Sequence, residues 1–142
     1  MIYKVFLDTN IVIDFFVTER LSHEDAKELF KMLDENHLYG FVSESVVTNT
    51  AYVLRKYFDS RIVKQIIEDI LDLTTVLPAS NRLVNTAVKG KINDIEDAIL
   101  YEIAADNKLH YFISNDLKDF KIASTKKLPV INAGAFLKLL KG

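Results

Sequence analysis

Short apolar runs recur along the chain, and polar residues bound each of them. The first run, Val5 to Leu7, ends at Asp8, and the others have similar lengths. Runs of this kind are typical of buried β-strands rather than of surface helices. The pattern predicts five strands, over residues 5–7, 38–43, 74–77, 110–114 and 129–131.

Between the strands, apolar residues recur at intervals of three and four positions. Ala26, Leu29, Phe30 and Leu33 have this spacing, which predicts a helix from Ser22 to about Asn36. Ser22 and Asp25 resemble a capping box with Asp in place of the usual Glu. In the helix over 61–73 we expect Ile62, Ile66, Ile70 and Leu73 to point inward. The remaining helices are predicted over 44–58, 61–73, 80–89, from 93 or 94 through 104, and from 132 onward, whereas 11–17 predicts only a short helical turn and a loop.

Strands and helices therefore alternate from one end of the chain to the other. This alternation favours an α/β fold in which helices cover both faces of a central parallel sheet, a three-layer α/β/α sandwich. The 142 residues suit a single domain over 1–142.

Composition excludes several classes of protein. The apolar share of 49% and the charged share of 27% are those of an ordinary globular domain. The absence of cysteine excludes disulfides, thiol catalysis and cysteine-ligated zinc. We find no signal-peptide pattern and no apolar run of the ~18 residues that a membrane span needs. We therefore expect a cytoplasmic protein without a membrane partner.

Charge is distributed unevenly, although the net charge is only −2. Six of the 18 basic residues but one of the 20 acidic residues lie from Leu117 onward. Such a basic end can attract phosphate groups toward an acidic body. A solvated lysine-rich tail explains the same pattern.

Acidic residues stand at three places where a parallel sheet would bring them together. Asp8 ends the first strand; Asp94, Glu96 and Asp97 begin a helix; Asp116 and Asp119 follow the fourth strand. Strand ends and helix starts meet at one edge of such a sheet. Clustered carboxylates repel one another, and a hard divalent cation with oxygen ligands, Mg²⁺ or Mn²⁺, relieves the repulsion.

Each acidic residue also has a purely structural interpretation. Asp8 can cap the helix that follows it. Asp94 and its neighbours can stabilise the positive end of a helix dipole, and Asp116 and Asp119 can be turn residues. The coincidence of three such stretches favours the metal site.

These stretches resemble a known family. The segments DTNIVID and NDIEDAILYEIAADNKLHYFISNDLKDF, with their separation, resemble a PIN domain over nearly the full length. The resemblance is strongest to the small bacterial VapC-type toxins. It implies a Rossmann-like fold and a metal-dependent ribonuclease. It places the family's acidic residues on Asp8, Asp97 and Asp116. Asp94 and Glu96 are the neighbours of Asp97, and Asp94 and Asp119 are further candidate metal ligands. Thr9, Asn10 and Ser114 would orient ligands.

One position departs from that pattern. The VapC-type glutamate six residues beyond a serine falls on Asn49, counted from Ser43. By resemblance, Asn49 still ligates the metal or positions a water molecule; the nearest acid, Glu44, is the alternative, although it lies on another helical face. The loss of a carboxylate leaves open whether one or two metal ions bind.

The function expected from the resemblance is Mg²⁺- or Mn²⁺-dependent endoribonuclease activity on RNA. The implied partners are RNA, a second copy of the chain in a homodimer and, for a toxin, a small antitoxin. The amphipathic helices 22–36 and 44–58 offer apolar surface for such contacts, although core packing explains the same stripes. The candidate RNA-backbone contacts are Arg55, Lys56, Arg61, Lys118, Lys121, Lys126 and Lys127.

Two other functions compete with this one. A degenerate PIN fold could be a non-catalytic module that binds RNA or protein. Asn49 favours this hypothesis, because it is uncharged where the family pattern has a glutamate. A phosphatase-like hydrolase could use Asp8 as its nucleophile. The three histidines are scattered, and no phosphate-binding glycine loop or serine nucleophile elbow is present.

Overall fold

A parallel sheet of five strands lies at the centre of the computed structural model, which describes residues 1–142. The strand order is β3-β2-β1-β4-β5, and every pair of neighbours is parallel. The strands are β1 (Tyr3–Leu7), β2 (Leu38–Ser43), β3 (Thr74–Leu77), β4 (Tyr111–Ile113) and β5 (Val130–Ile131).

Seven helices cover this sheet. They are α1 (Thr9–Phe16), α2 (His23–Asp34), α3 (Glu44–Leu54), α4 (Ser60–Leu73), α5 (Asn81–Val88), α6 (Ile95–Asp106) and α7 (Ala133–Lys141). α1 packs on α2 and α3, and α2 also contacts α4 and α7, whereas α5 and α6 pack on each other. The connection from β3 to β4 runs back across the sheet, so a right-handed crossover places α5 and α6 on the opposite face. The predicted three-layer α/β/α sandwich is confirmed.

The order in which the chain adds strands to the sheet reverses at β1. β2 lies on one side of β1 and β4 on the other, and the register pairs Leu7 with Ile113. In open α/β sheets this switch point opens a crevice at the carboxyl ends of the strands. The residues that follow Leu7 and Ile113 are Asp8 and Ser114, so they meet in that crevice.

The apolar strands form the centre of the core. Phe6, Phe112 and Phe120 are almost completely buried, and Phe112 stacks near both other rings with centroid distances of 5.1 Å and 4.6 Å. Phe120 thereby fixes the segment after Asp116 against the sheet. A rigid base of this kind keeps neighbouring site residues in place.

Helix α1 is longer than the sequence predicted. It starts directly after Asp8 and runs for eight residues, where a turn and a loop were expected. Ile11, Val12 and Ile13 are all buried. The polar face of α1 is narrow, with Asn10 and Asp14 on it, and the apolar residues 11–13 are consecutive, so the pattern resembles a short buried run.

Other predicted details were wrong. Ser22 precedes α2 but its side chain forms no capping hydrogen bond. α3 ends at Leu54 rather than at Phe58. In α4, Ile66 and Ile70 are buried as predicted, but Val63 is buried where Ile62 was expected, and Ile62 is 45% exposed.

Two helices are followed by a residue in the left-handed conformation, Asn36 after α2 and Lys108 after α6. α2 is followed by Asn36 at φ 60°, and the N–H of His37 donates to the carbonyl of Met32, as in a Schellman motif. This turn ends the helix at Asp34, two residues before the predicted end, and leads directly into β2.

None of the helices combines the length and the apolar character that crossing a membrane requires.

Candidate active site

Asp8 is buried at the carboxyl end of β1, with 6% of its surface exposed. Its Oδ1 accepts a hydrogen bond of 2.8 Å from the N–H of Thr9. Its Oδ2 accepts from Ser114 Oγ at 2.7 Å and from Asn10 Nδ2 at 3.3 Å. The predicted helix-capping role is therefore real, but it uses only one of the two carboxylate oxygens.

The segment Ser114–Asp116 is held to Asp8 by the same polar groups. The fully buried Ser114 hydroxyl also accepts a hydrogen bond of 3.0 Å from the N–H of Asp116. Asn10 adds a second link, since its Oδ1 accepts from the N–H of Asn115 at 3.0 Å. One buried hydroxyl thus sets the relative position of two acidic residues from opposite parts of the chain.

A second polar cluster, around Asp14, contacts the segment Ser114–Asp116 through Asn115. Asp14 is 4% exposed, and its two oxygens accept from Arg20 Nε at 2.5 Å and from Asn115 Nδ2 at 2.8 Å. Asn115 Oδ1 in turn accepts from the N–H of Ala133, the first residue of α7. Asn115 therefore ties β4, α1 and α7 together directly beside Asp116.

The start of α6 brings three more acids to the same edge. Asp94 caps the helix, because its Oδ1 accepts from the N–H of Asp97 at 2.9 Å. Asp97 is half-buried, whereas Asp94 and Glu96 are exposed. The predicted structural role of Asp94 is present, and its charge remains part of the acidic edge.

The electrostatics of Asp97 connect the separate stretches. The pKa of Asp97 is raised to about 7. Burial is the largest cause, and the charges of Asp8, Asp94, Asp119 and Glu96 also contribute. Such an effect needs short separations, since exposed charges are screened within a Debye length of ~8 Å. Asp97 is thus a carboxyl group whose acidic neighbours disfavour its ionised form.

Asp8 experiences the same field. Burial is again the largest cause that raises its pKa, while the hydrogen bonds from Ser114 and Thr9 lower it. The charges of Glu96 and Asp116 add to the upward shift. The charges that raise the pKa values of Asp8 and Asp97 come from all three predicted acidic stretches.

The donor groups at this edge suit the predicted cation. All available donors are oxygens of carboxylate, hydroxyl and amide groups, which suits Mg²⁺ and Mn²⁺ rather than soft metals. The unrelieved repulsion around Asp97 is what a bound cation would offset. No group of three or more His, Cys, Asp or Glu side chains is already gathered tightly enough to hold a metal ion. The charges and donor chemistry fit, and closing the ligand set takes side-chain movement.

Asn49 reaches this edge from α3. Its Nδ2 donates a hydrogen bond of 2.6 Å to Glu96 Oε2. The alternative residue, Glu44, lies at the start of the same helix and is exposed. Both Glu44 and Glu96 line a cavity of about 670 Å³ that has mainly apolar walls from β3, α5 and α6. Asn49 is therefore the α3 residue with a direct contact to the acidic edge.

A polar cleft of about 570 Å³ opens on the other side of Asp8. It runs from Asn10 and Asp116 to Arg20, with Asp14 and Asn115 in its wall. Its polar walls and its position along the sheet edge suit an extended polar ligand rather than an apolar one.

The predicted RNA-contacting cations differ in their position. Lys118 lies between Asp116 and Asp119 and is exposed. Arg55 and Lys56 follow the far end of α3, which at about 1.5 Å per residue is roughly 16 Å from the sheet edge. None of the seven candidate cations forms an ion pair.

Sequence reasoning missed part of the site. Asp14 and Asn115 were not predicted to have a role, although an acid within the apolar segment IVIDFF signals a buried polar contact. Thr9 was expected to orient ligands, but its hydroxyl is buried without a hydrogen-bond partner, and only its N–H contacts Asp8. The predicted apolar interface stripes of α2 and α3 are buried mainly in the chain's own core.

Comparisons with known proteins agree with this architecture. A family profile described as PIN domain matches residues 4–118. Ribonuclease VapC1 of Aquifex aeolicus (strain VF5) is 25% identical over 118 residues, which cover 80% of this chain and 81% of that protein.

Two solved structures share the fold. VapC20 of Mycobacterium tuberculosis, a sarcin-ricin loop cleaving toxin, has a TM-score of 0.67 at 13% identity, and the match covers 86% of this chain and 97% of that chain. A toxin–antitoxin complex from Klebsiella pneumoniae has a TM-score of 0.62 at 22% identity, with 87% of this chain and 94% of that chain covered. At these identities the solved structures show the fold alone.

Proposed function

The chain belongs to the PIN domain family, and from this premise we propose that it is a metal-dependent endoribonuclease that hydrolyses RNA phosphodiester bonds. One observation carries the proposal: at the switch point of the sheet, the buried Ser114 hydroxyl holds Asp8 and the backbone of Asp116 together, and the start of α6 lies at the same end of the sheet. The 25% identity to a ribonuclease of the VapC group supports the same activity.

Asp8, Asp97 and Asp116 are the residues that would hold Mg²⁺ or Mn²⁺, with Asp94 and Asp119 beside them. When bound, such an ion polarises a phosphoryl oxygen, lowers the pKa of a water molecule and stabilises the leaving oxygen. We propose at least one metal position. Asn49 in place of a glutamate weakens the second position.

The protein's own contribution is orientation. Ser114 and Asn10 fix one oxygen of Asp8 through their hydrogen bonds and leave Oδ1 with a single backbone donor. Ser114 also holds the backbone of Asp116, so the two acids keep a constant relationship. Partners of this kind raise affinity because a ligand that is already oriented loses less entropy on binding.

RNA approaches an acidic edge only if positive charge offsets phosphate repulsion. Lys118 is the nearest candidate along the chain, and Lys121, Lys126 and Lys127 follow in the same exposed segment. Tyr101 holds that segment, since its hydroxyl lies 2.7 Å from the carbonyl oxygen of Ala123 and 2.9 Å from that of Leu128, and the two carbonyls share its one proton. Lysine contacts to phosphate make binding dependent on salt concentration.

The proposal includes two protein partners. A toxin–antitoxin complex is among the proteins that share the fold, so we include a small antitoxin that covers the acidic edge. We also include a homodimer, for which the exposed Tyr52 and Tyr57 provide surface at the end of α3. Activity on cellular RNA places the protein in the cytoplasm.

A non-catalytic RNA- or protein-binding module is the second candidate. Asn49 favours it, since this residue has no charge to offer a cation. The phosphatase-like alternative needs Asp8 as a nucleophile that forms a covalent intermediate, which the experiment below detects.

An RNA cleavage assay separates these functions. The chain is incubated with a mixed RNA pool in Mg²⁺, in Mn²⁺ and in EDTA, beside Asp8→Asn, Asp97→Asn and the control Asp106→Asn. Asp106 lies on the same helix as Asp97 but pairs with Arg82 at the surface. Cleavage by the wild type and the control, lost in EDTA and in the other two variants, supports the enzyme.

Two outcomes oppose the proposal. RNA that binds but stays intact with either metal supports the non-catalytic module. A trapped covalent intermediate on Asp8 supports the phosphatase-like hydrolase, because metal-dependent hydrolysis by an activated water molecule forms none.

A further inference from the structure

A short hydrogen bond joins the two helices that flank the acidic edge. Asn49 on α3 donates to Glu96 on α6 at 2.6 Å, across 47 positions of sequence. Glu96 has no basic partner within ion-pair distance. Its carboxylate is therefore held by an amide while its negative charge remains available to a cation.

Glu96 also lies at the end of the sheet where the proposed metal site is. It lines a cavity with Ser43 and Leu77, the last residues of β2 and β3. It directly precedes Asp97 in the first turn of α6.

The geometry relates Glu96 to the departure at position 49. Asn and Glu side chains differ in length by one methylene group, about 1.5 Å of chain. The Glu96 oxygen lies 2.6 Å from the Asn49 amide nitrogen. A carboxylate carried by residue 96 and one carried by residue 49 would therefore lie in the same part of the crevice.

We propose that Glu96 supplies the metal-ligating carboxylate that position 49 lacks, and that Asn49 positions it through the hydrogen bond. The inference rests on the proposed metal-dependent function. The edge would then have a carboxylate from α6 where the resemblance implies one from α3. Two glutamates at positions 49 and 96 would instead repel each other at this distance.

Isothermal titration calorimetry with Mn²⁺ and no RNA tests this assignment, because it measures the affinity of the protein for the metal independently of cleavage. Glu96→Gln keeps the shape and loses the charge, so we expect Mn²⁺ affinity to fall by about tenfold to a hundredfold. Glu102→Gln is the matched control on the same helix, and we expect wild-type affinity. Asn49→Glu combined with Glu96→Gln exchanges the two groups, and we expect it to recover most of the affinity.

A purely structural hydrogen bond predicts different results. Asn49→Ala and Glu96→Gln would then lower the melting temperature to a similar extent and leave Mn²⁺ affinity unchanged, and the exchanged pair would show no gain. That result overturns the inference but not the proposed function, provided that the wild type still binds Mn²⁺ and cleaves RNA. A wild type that does neither overturns both.

Discussion

The hydroxyl of Ser114 donates a hydrogen bond of 2.7 Å to Asp8 Oδ2, although the two residues are 106 positions apart. The pairing of Leu7 with Ile113 brings them together, since each is the next residue after its strand. The same hydroxyl accepts the N–H of Asp116. Asp8 and Asp116 therefore share a single buried positioning group.

Ser114→Ala should impair both acids. Asp8 Oδ2 would keep only the 3.3 Å contact with Asn10, and the Asp116 N–H would lose its acceptor. Leaving buried polar groups unpaired should lower the free energy of unfolding by about 1–3 kcal/mol. Urea unfolding measures this loss, with Ser22→Ala as the control, because Ser22 makes no capping contact. Equal stability of the two variants would contradict the role of Ser114.

Asp14→Ala should destabilise the chain and loosen the segment after β4. It removes the acceptor of Arg20 Nε and of Asn115 Nδ2 from a nearly buried position. Because Arg20 is 40% exposed, we expect a cost of about 2–3 kcal/mol rather than that of a fully buried pair.

Asp106→Ala is the control for that experiment. The Arg82–Asp106 pair is exposed on both sides, so its loss should cost less than about 1 kcal/mol in urea unfolding. Similar losses in the two variants would show that Asp14 is a surface charge in solution and not the buried centre of a cluster.

The pKa of Asp97 predicts a pH effect in metal-free buffer. In the folded chain this pKa is about 7, whereas the ordinary value is 3.8. Between these values the folded state holds the extra proton, so stability falls as pH rises through the window. Asp97→Asn removes this dependence, and we expect its stability relative to wild type to increase from pH 5 to pH 8 by on the order of 1–2 kcal/mol after allowance for screening.

Thermal unfolding in EDTA at several pH values measures this difference. Asp106→Asn should follow the wild-type curve, since Asp106 lies in an exposed ion pair. Parallel curves for wild type and Asp97→Asn would contradict the electrostatic description of the site. Mn²⁺ should stabilise the wild type more at pH 8 than at pH 5, because the ionised carboxylate binds the cation.

Much of the fold could be predicted because burial leaves a direct pattern in sequence. All five predicted strands are present, and Leu38–Ser43 and Thr74–Leu77 have the predicted bounds. Ser80 and Asn132 cap α5 and α7 as expected. α1 was predicted only as a short helical turn because its apolar residues are consecutive and its polar face, with Asn10 and Asp14, is narrow.

The site could be predicted only in part, for a similar reason. Asp8 and the segment at Asp116 follow adjacent strands, so the topology alone brings them together. The contact between Asn49 and Glu96 depends on how α3 and α6 pack across the sheet edge. Since successive residues point ~100° apart around a helix, the sequence alone does not predict that Glu96 and Asp97 both reach the crevice.

The central claim is that residues 8, 97 and 116 hold one cation between them. A crystal structure of the wild type grown with Mn²⁺, with anomalous data at the manganese edge, tests it most directly. We predict an anomalous peak in the crevice beside the carboxylates of Asp8, Asp97 and Asp116, at about 2.0–2.2 Å from their nearest oxygens. Ordered carboxylates with no peak among them, at saturating Mn²⁺ and neutral pH, would contradict the metal-dependent site.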